Sequence, residues 1–99
     1  MRPIHLAHLD KMRPVLVLTR ELARPHMSKV SVAPVTSRVR GLSTEVPVNA
    51  RNGLAQDSVV SCDNITTIET SELGRQIGYL LASQEEDLSA AIRAAYDLD

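Results

Sequence analysis

Short apolar runs broken by turn-forming residues occupy the chain from Pro3 to Leu80, and helical spacing begins only at Ser83. Turn signals at intervals of roughly ten residues leave room for strands and little else, which directs the chain toward a small, largely antiparallel barrel or half-barrel closed by one helix. Pro3-Ile4-His5-Leu6-Ala7 reads as a first strand. Val15-Leu16-Val17-Leu18, entered through Arg13-Pro14, is a continuous apolar run of the kind buried on both faces. Lys29 to Thr36 alternates in part, and Pro34 has no N–H to give to a ladder, which predicts an edge or a bulge there. Beyond the Arg40-Gly41 turn, Ser43 to Val48 reads as an edge-like strand pairing back as a hairpin. Asn52-Gly53 is the strongest local turn signal, since both residues tolerate positive φ. Ser58 to Cys62 and Ile65 to Ile68 follow as strands separated by the polar Asp63-Asn64. Ser71 to Gly74 then reads as one helical turn closed by glycine, and Gln76 to Leu80 as the last strand.

At the C-terminus the period changes. Leu88, Ala91, Ile92 and Ala95 recur at helical spacing, and Ser83 with Glu86 forms the pattern of a capping box. Glu85, Glu86 and Asp87 stand where the helix dipole favours negative charge. The acidic polar face would be repelled by anionic lipid, so the apolar stripe is expected to pack on protein.

Such a chain has a small core to fill it with. Its 99 residues suit one domain, residues 1–99, and its hydrophobic 43% includes two Tyr but neither Trp nor Phe, so the core is aliphatic. The lone Cys62 cannot make an internal disulfide, and no run approaches membrane-spanning length or the form of a signal peptide. A soluble protein of the reducing cytoplasm is expected.

The overall charge of −1 conceals a division. Residues 1–51 carry nine Lys/Arg against three acids, a net of +6, and residues 52–99 carry two Arg against nine acids, a net of −7. That asymmetry predicts a basic working surface for an anion and a separate acidic face.

His5 and His8 fall on opposite faces of a strand, so with Asp10 they make no metal site. His26 sits in a turn without a partner, and Cys62 follows an apolar run as a small buried hydrophobe would. No phosphate-binding glycine loop or dinucleotide fingerprint is present. What remains is Arg13 at the mouth of one strand, Thr36 and Ser37 at the end of another, and Arg38 and Arg40 just beyond. Guanidinium groups fork onto phosphate oxygens and stay charged, and a hydroxyl beside them adds a donor to a developing oxyanion. By spacing alone these residues fit a solvated strand end more readily, and alternatively RNA cleavage, in which a 2′-OH attacks phosphorus, the phosphate gains charge and the 5′ oxygen departs.

Several of these segments also occur in a recognisable order. Arg13-Pro14-Val15-Leu16-Val17-Leu18, Val30 to Ser37, Thr44-Glu45-Val46-Pro47-Val48, Asn52-Gly53-Leu54, Asp57 to Val60 and Asp63 to Ile68 together resemble the MazF/PemK toxins of bacterial type II toxin–antitoxin systems, and in particular the short mycobacterial MazF toxins. The resemblance covers nearly the whole chain. It implies a mainly β, SH3-like (MazF/CcdB-type) small barrel with a C-terminal amphipathic helix, assembled as a homodimer. It implies a metal-independent endoribonuclease without cofactor, cutting single-stranded RNA (mRNA, rRNA or tRNA) to a 2′,3′-cyclic phosphate and a 5′-hydroxyl. It also implies inhibition by a cognate MazE-like antitoxin whose acidic segment covers the basic groove.

By matched motif, Arg13 and Thr36 are the implied catalytic pair, with Arg13 stabilising the phosphate, proton donation by it left open though strained by its high pKa, and Thr36 orienting or stabilising the phosphate. Asp63 and Asn64 are the implied readers of base edges. Asp10, Lys11, Ser37, Arg38 and Arg40 complete the implied RNA-binding set. Two departures from the family stand out: only Lys11 and Met12 separate Asp10 from Arg13 where relatives carry a long glycine-containing loop, and the first strand lacks their aromatic residues. A gyrase poison on the related CcdB-like fold and a non-catalytic RNA-binding barrel are the alternatives. The first predicts gyrase-dependent DNA breaks, the second salt-dependent binding of RNA left intact.

Overall fold

The computed structural model describes residues 1–99. Seven strands and one helix form in the order β1 (Pro3–His8), β2 (Met12–Val17), β3 (Lys29–Thr36), β4 (Glu45–Val48), β5 (Ser58–Ser61), β6 (Thr66–Glu69), β7 (Leu73–Tyr79) and α1 (Glu85–Tyr96). Every ladder is antiparallel. The strand order is β4-β5-β3-β2-β1-β7, with β6 also paired to β3.

Two sheets therefore share β3. Its first half, Lys29 to Val32, pairs with β6, and its end, Val35 and Thr36, pairs with β5. On the opposite side Val32, Ala33 and Pro34 pair with β2. The edge expected at Pro34 is a local one: β3 is a central strand, but on the side away from β2 no ladder covers Ala33-Pro34, where the strand passes from β6 to β5. A residue that cannot donate to a ladder suits that gap, because no partner strand lies on that side.

Val15 and Val17 of β2 point into one apolar cluster with Ala7, Val30 and Val32, while Leu16 points into the larger cluster with Ile4, Ala33, Val35, Val46, Val48 and Val60. This is the two-faced burial expected of that run. The first sheet bends around the smaller cluster, since β6 and β7 lie at opposite ends of its order yet are joined by only the 3-10 turn Thr70–Glu72. No ladder joins β6 to β7, so the barrel stays open.

Helix α1 packs on its own sheets. Leu88 and Ala91 are buried in the larger cluster, and Ile92 and Ala95 lie against it. The expected capping box is not formed: the helix starts at Glu85 after a 3-10 turn at Ala82–Gln84, which makes Gln84 the N-cap and leaves Ser83 one residue too early. The helix has no side-chain cap, and Gln84 instead closes the 3-10 turn before it, its Oε1 accepting from the Leu81 N–H at 2.9 Å and from Asn52 Nδ2 at 2.7 Å. No helix is long and apolar enough to cross a membrane.

Two further expectations shift, at β4 and at Gly74, and one between them holds. Strand β4 is an edge strand, but it pairs with β5 and not with β3, since β5 lies between them. Asn52-Gly53 does turn the chain, as the end of a 3-10 turn closed by Gly53 at φ +88. A Cβ on Gly53 would overlap the Ile77 carbonyl, so this glycine serves close backbone approach as well as the turn. Gly74 closes no helical turn, because β7 already begins at Leu73 and pairs there with Ala7 of β1.

Candidate nucleic-acid interface

The β1–β2 connection, the end of β3, the start of β4 and the segment after β5 converge on one cavity of about 640 Å³. Its walls include Lys11, Arg13, Thr36, Ser37, Arg38, Arg40, Asp63 and Asn64. A smaller cavity of about 230 Å³ adjoins it and is lined by Lys11, Arg13, Thr36 and Ser37 again, with Gln56 and Ser58 beyond. Arg13 and Thr36 thus stand on a saddle between two depressions. This is the position from which a chain lying in both would be gripped at its middle.

Arg13 is placed by the hairpin. His8 pairs with Met12 and Ala7 with Arg13, and the Leu9 N–H donates to the Lys11 carbonyl at 3.0 Å, so the turn is tight and Asp10 stands at its tip. Arg13 Nη2 donates to Asp10 Oδ2 at 3.2 Å, while its Nε is buried and has no partner. An orphaned guanidinium N–H costs about 1–3 kcal/mol. Desolvation works upward on the Asp10 carboxyl, but the Arg13 charge and the Lys11 backbone N–H prevail and hold it below the ordinary carboxylate value.

Thr36 is the last residue of β3, paired with Val59 of β5. Its Oγ1 accepts from the Arg38 N–H at 3.1 Å, which leaves its own proton free to donate. On the far wall Thr44 Oγ1 donates to Asp63 Oδ2 at 2.6 Å, and Asn64 Nδ2 donates to Ser61 Oγ at 2.9 Å. Each of these two side chains is held at one atom and keeps others open. Cations outnumber acids in the lining of the larger cavity, Lys11, Arg13, Arg38 and Arg40 against Glu45 and Asp63, although the chain as a whole is slightly acidic. All four cations were singled out from the sequence, and the basic half of the chain supplies them all.

The structure brings together every expected site residue except Asp10, which touches the groove through Arg13 instead of lining it. Glu45, Thr44 and Ser61 were not foreseen from the sequence. Glu45 Oε1 accepts from the N–H groups of Arg40, Gly41 and Leu42 at 3.2, 2.8 and 3.1 Å. The turn signal at Gly41, whose φ is +74, together with an acid four residues later, was the available sign of this arrangement.

Other features of the surface lack this convergence. A cavity of similar volume lies between Ala50–Gly53 and Gln76–Tyr79, with Arg51 as its sole charged residue. His5 Nδ1 lies 2.9 Å from the Gly74 carbonyl, and no group of three or more His, Cys, Asp or Glu side chains is gathered at one place. Cys62 is 1% exposed, and burial, with the Asp63 charge adding to it, pushes its thiol up to about 11.

Residues 3–96 match the family of PemK-like, MazF-like toxins of type II toxin-antitoxin systems. The chain belongs to the MazF/PemK toxin family. Over 99 residues it is 69% identical to endoribonuclease MazF3 of Mycobacterium tuberculosis, spanning 100% of this chain and 96% of that protein. The solved structure of Mycobacterium tuberculosis toxin MazF-mt6 superimposes with a TM-score of 0.97 at 68% identity, covering 99% of each chain. A mycobacterial endoribonuclease solved in complex with its cognate antitoxin shares the fold at 22% identity, with a TM-score of 0.87 over 98% of this chain and 93% of the other. This MazF/PemK chain shares its fold with those toxins over almost its whole length.

Proposed function

We propose that this MazF/PemK toxin is an endoribonuclease that cleaves single-stranded RNA across the saddle formed by Arg13 and Thr36. The observation that carries the reading is the sharing of these two side chains by two adjoining cavities. A strand of RNA laid through both cavities would have its scissile phosphate at the shared wall and its flanking bases against Asp63 and Asn64 on one side and Gln56 on the other.

In the reaction the 2′ oxygen forms a bond to phosphorus as the bond to the 5′ oxygen breaks. Water takes the 2′ proton and supplies one to the 5′ oxygen, and the products are a 2′,3′-cyclic phosphate and a 5′-hydroxyl. Negative charge builds on the non-bridging oxygens between these events. Arg13 meets it with a fixed positive charge and two N–H directions, and remains protonated throughout, so its contribution is electrostatic and not proton transfer. Thr36 adds an O–H donor whose oxygen is already anchored by the Arg38 backbone. Asp10 orients the guanidinium from behind. Lys11, Ser37, Arg38 and Arg40 attract and track the backbone, while Asp63 accepts from exocyclic amines and Asn64 both donates and accepts.

Kinship supplies the rest of the proposal: action in the cytoplasm where RNA is met, a homodimeric assembly, and silencing by a cognate antitoxin. The positive groove suits an acidic inhibitory segment, which would compete with RNA for the same cations. The deciding experiment is digestion of a mixed RNA pool in EDTA by wild type, Arg13→Ala and Thr36→Ala. Cleavage by wild type alone, with cyclic phosphate ends, supports the proposal. Wild-type activity in both variants would refute the site, and a strict requirement for added metal would refute the mechanism.

A further inference from the structure

Glu45 is an acid in the wall of a groove built for an anion, and its placement calls for a reason. One of its oxygens collects three consecutive backbone N–H groups, those of Arg40, Gly41 and Leu42, at 2.8 to 3.2 Å. The partial positive charges of these amides compensate the carboxylate locally, as in the backbone nests that hold anions. The loop so gathered carries Arg38 and Arg40, both exposed, and connects β3 to β4 with no ladder of its own. Gly41 adopts φ +74 with no atom within 4 Å of where a Cβ would stand, so backbone conformation and not crowding requires glycine there.

The same strand end also grips the opposite wall. Glu45 pairs with Ser61 in the β4–β5 ladder, the Cys62 N–H donates to the Thr44 carbonyl at 3.0 Å, and Thr44 Oγ1 donates to Asp63. Residues 44 and 45 therefore fix the arginine loop and the Asp63-Asn64 segment relative to each other.

We propose that Glu45 is a positioning residue for RNA recognition, holding Arg38 and Arg40 at the rim of the groove by binding the backbone of their loop. It touches no reacting atom. The inference rests on the assignment of this groove to RNA, and it adds to it a residue whose loss weakens substrate binding while the chemistry at Arg13 and Thr36 continues.

The test uses full-length protein and a labelled RNA oligonucleotide containing a site mapped from wild-type digestion of a mixed RNA pool. Glu45→Ala raises KM about tenfold with kcat within about twofold, an expected loss on the order of one good polar recognition contact. The slope of log affinity against log salt, measured on the same oligonucleotide with a 2′-deoxy scissile nucleotide, falls in magnitude by about 0.7 for each phosphate contact released. Glu45→Gln keeps the accepting oxygen and restores both KM and slope toward wild type. Gly41→Val strains the loop without altering the carboxylate and reproduces the Glu45→Ala pattern, which keeps the test open should Glu45→Ala fail to fold. Unchanged KM and slope in Glu45→Ala or in Gly41→Val, a loss confined to kcat, or a Glu45→Gln variant as defective as Glu45→Ala overturns the inference. Arg13→Ala runs alongside: if it is inactive while Glu45→Ala behaves as wild type, the positioning role alone fails, and if it cleaves normally the assignment of the groove fails first.

Discussion

Arg13 Nη2 donates to Asp10 Oδ2 at 3.2 Å across a hairpin turn, so the guanidinium that faces the groove is held from outside it by a largely exposed carboxylate. The pairing lowers the Asp10 pKa below 3.8. A carboxyl with a depressed folded value contributes stability that is in place above the ordinary value and lost as pH falls through the lowered one. A carbon-13 NMR titration should therefore place the Asp10 midpoint below 3.8, and Arg13→Ala should move it upward. A midpoint unmoved by Arg13→Ala would show that the pair does not persist in solution.

Removing either side chain of the saddle should slow cleavage by different routes. Arg13→Ala removes charge and donors from the transition state, and a loss on the order of 10²–10³-fold in kcat is expected. Arg13→Lys keeps the charge without the planar fork and should recover only part of it. Thr36→Ser retains the hydroxyl and should exceed Thr36→Ala in single-turnover rate. Equal rates for the two Thr36 variants would remove the hydroxyl from the mechanism.

Cys62 should be silent in the native protein. With its thiol raised to about 11 and the side chain buried, alkylation at pH 8 should proceed only as fast as the chain opens, and denaturant should release it. Because the folded form holds its proton more tightly than the unfolded one, stability should fall as pH rises from 9.0 toward about 11. Prompt labelling of native protein would contradict the buried placement.

The helix should be integral to the fold. Leu88 is 1% exposed within the larger cluster, and Leu88→Ala should cost about 2–5 kcal/mol in urea denaturation. Asp87→Ala on the solvent side should change little. A null effect at Leu88 would place the helix elsewhere in solution.

The alternation of Val15, Leu16 and Val17 between two apolar clusters was readable from the run itself, because a strand without polar positions has no side to give to water. The partner of β4 was not. Adjacent strands usually pair, but β5 displaces β4 from β3, and nothing local to Glu45–Val48 records that insertion. Ser83 matched a capping pattern that the chain does not use, since Asn52, distant in sequence, binds Gln84 and so favours a different start to the helix. The candidate site was legible in its arginines and hydroxyls as types, and the resemblance singled out Arg13 and Thr36 among them. Glu45 escaped notice because its partners are backbone N–H groups, which have no signature in side-chain chemistry.

Pro34 marks the point at which β3 changes partners, two residues before Thr36. The residue proposed to meet the phosphate therefore belongs to the one strand common to both sheets, whereas the rims come from separate excursions of the chain: the β1–β2 turn, the loop after β3 and the segment after β5. Such an arrangement is modular. The rims can be lengthened, shortened or recoded to suit another RNA sequence while the phosphate grip stays where it is.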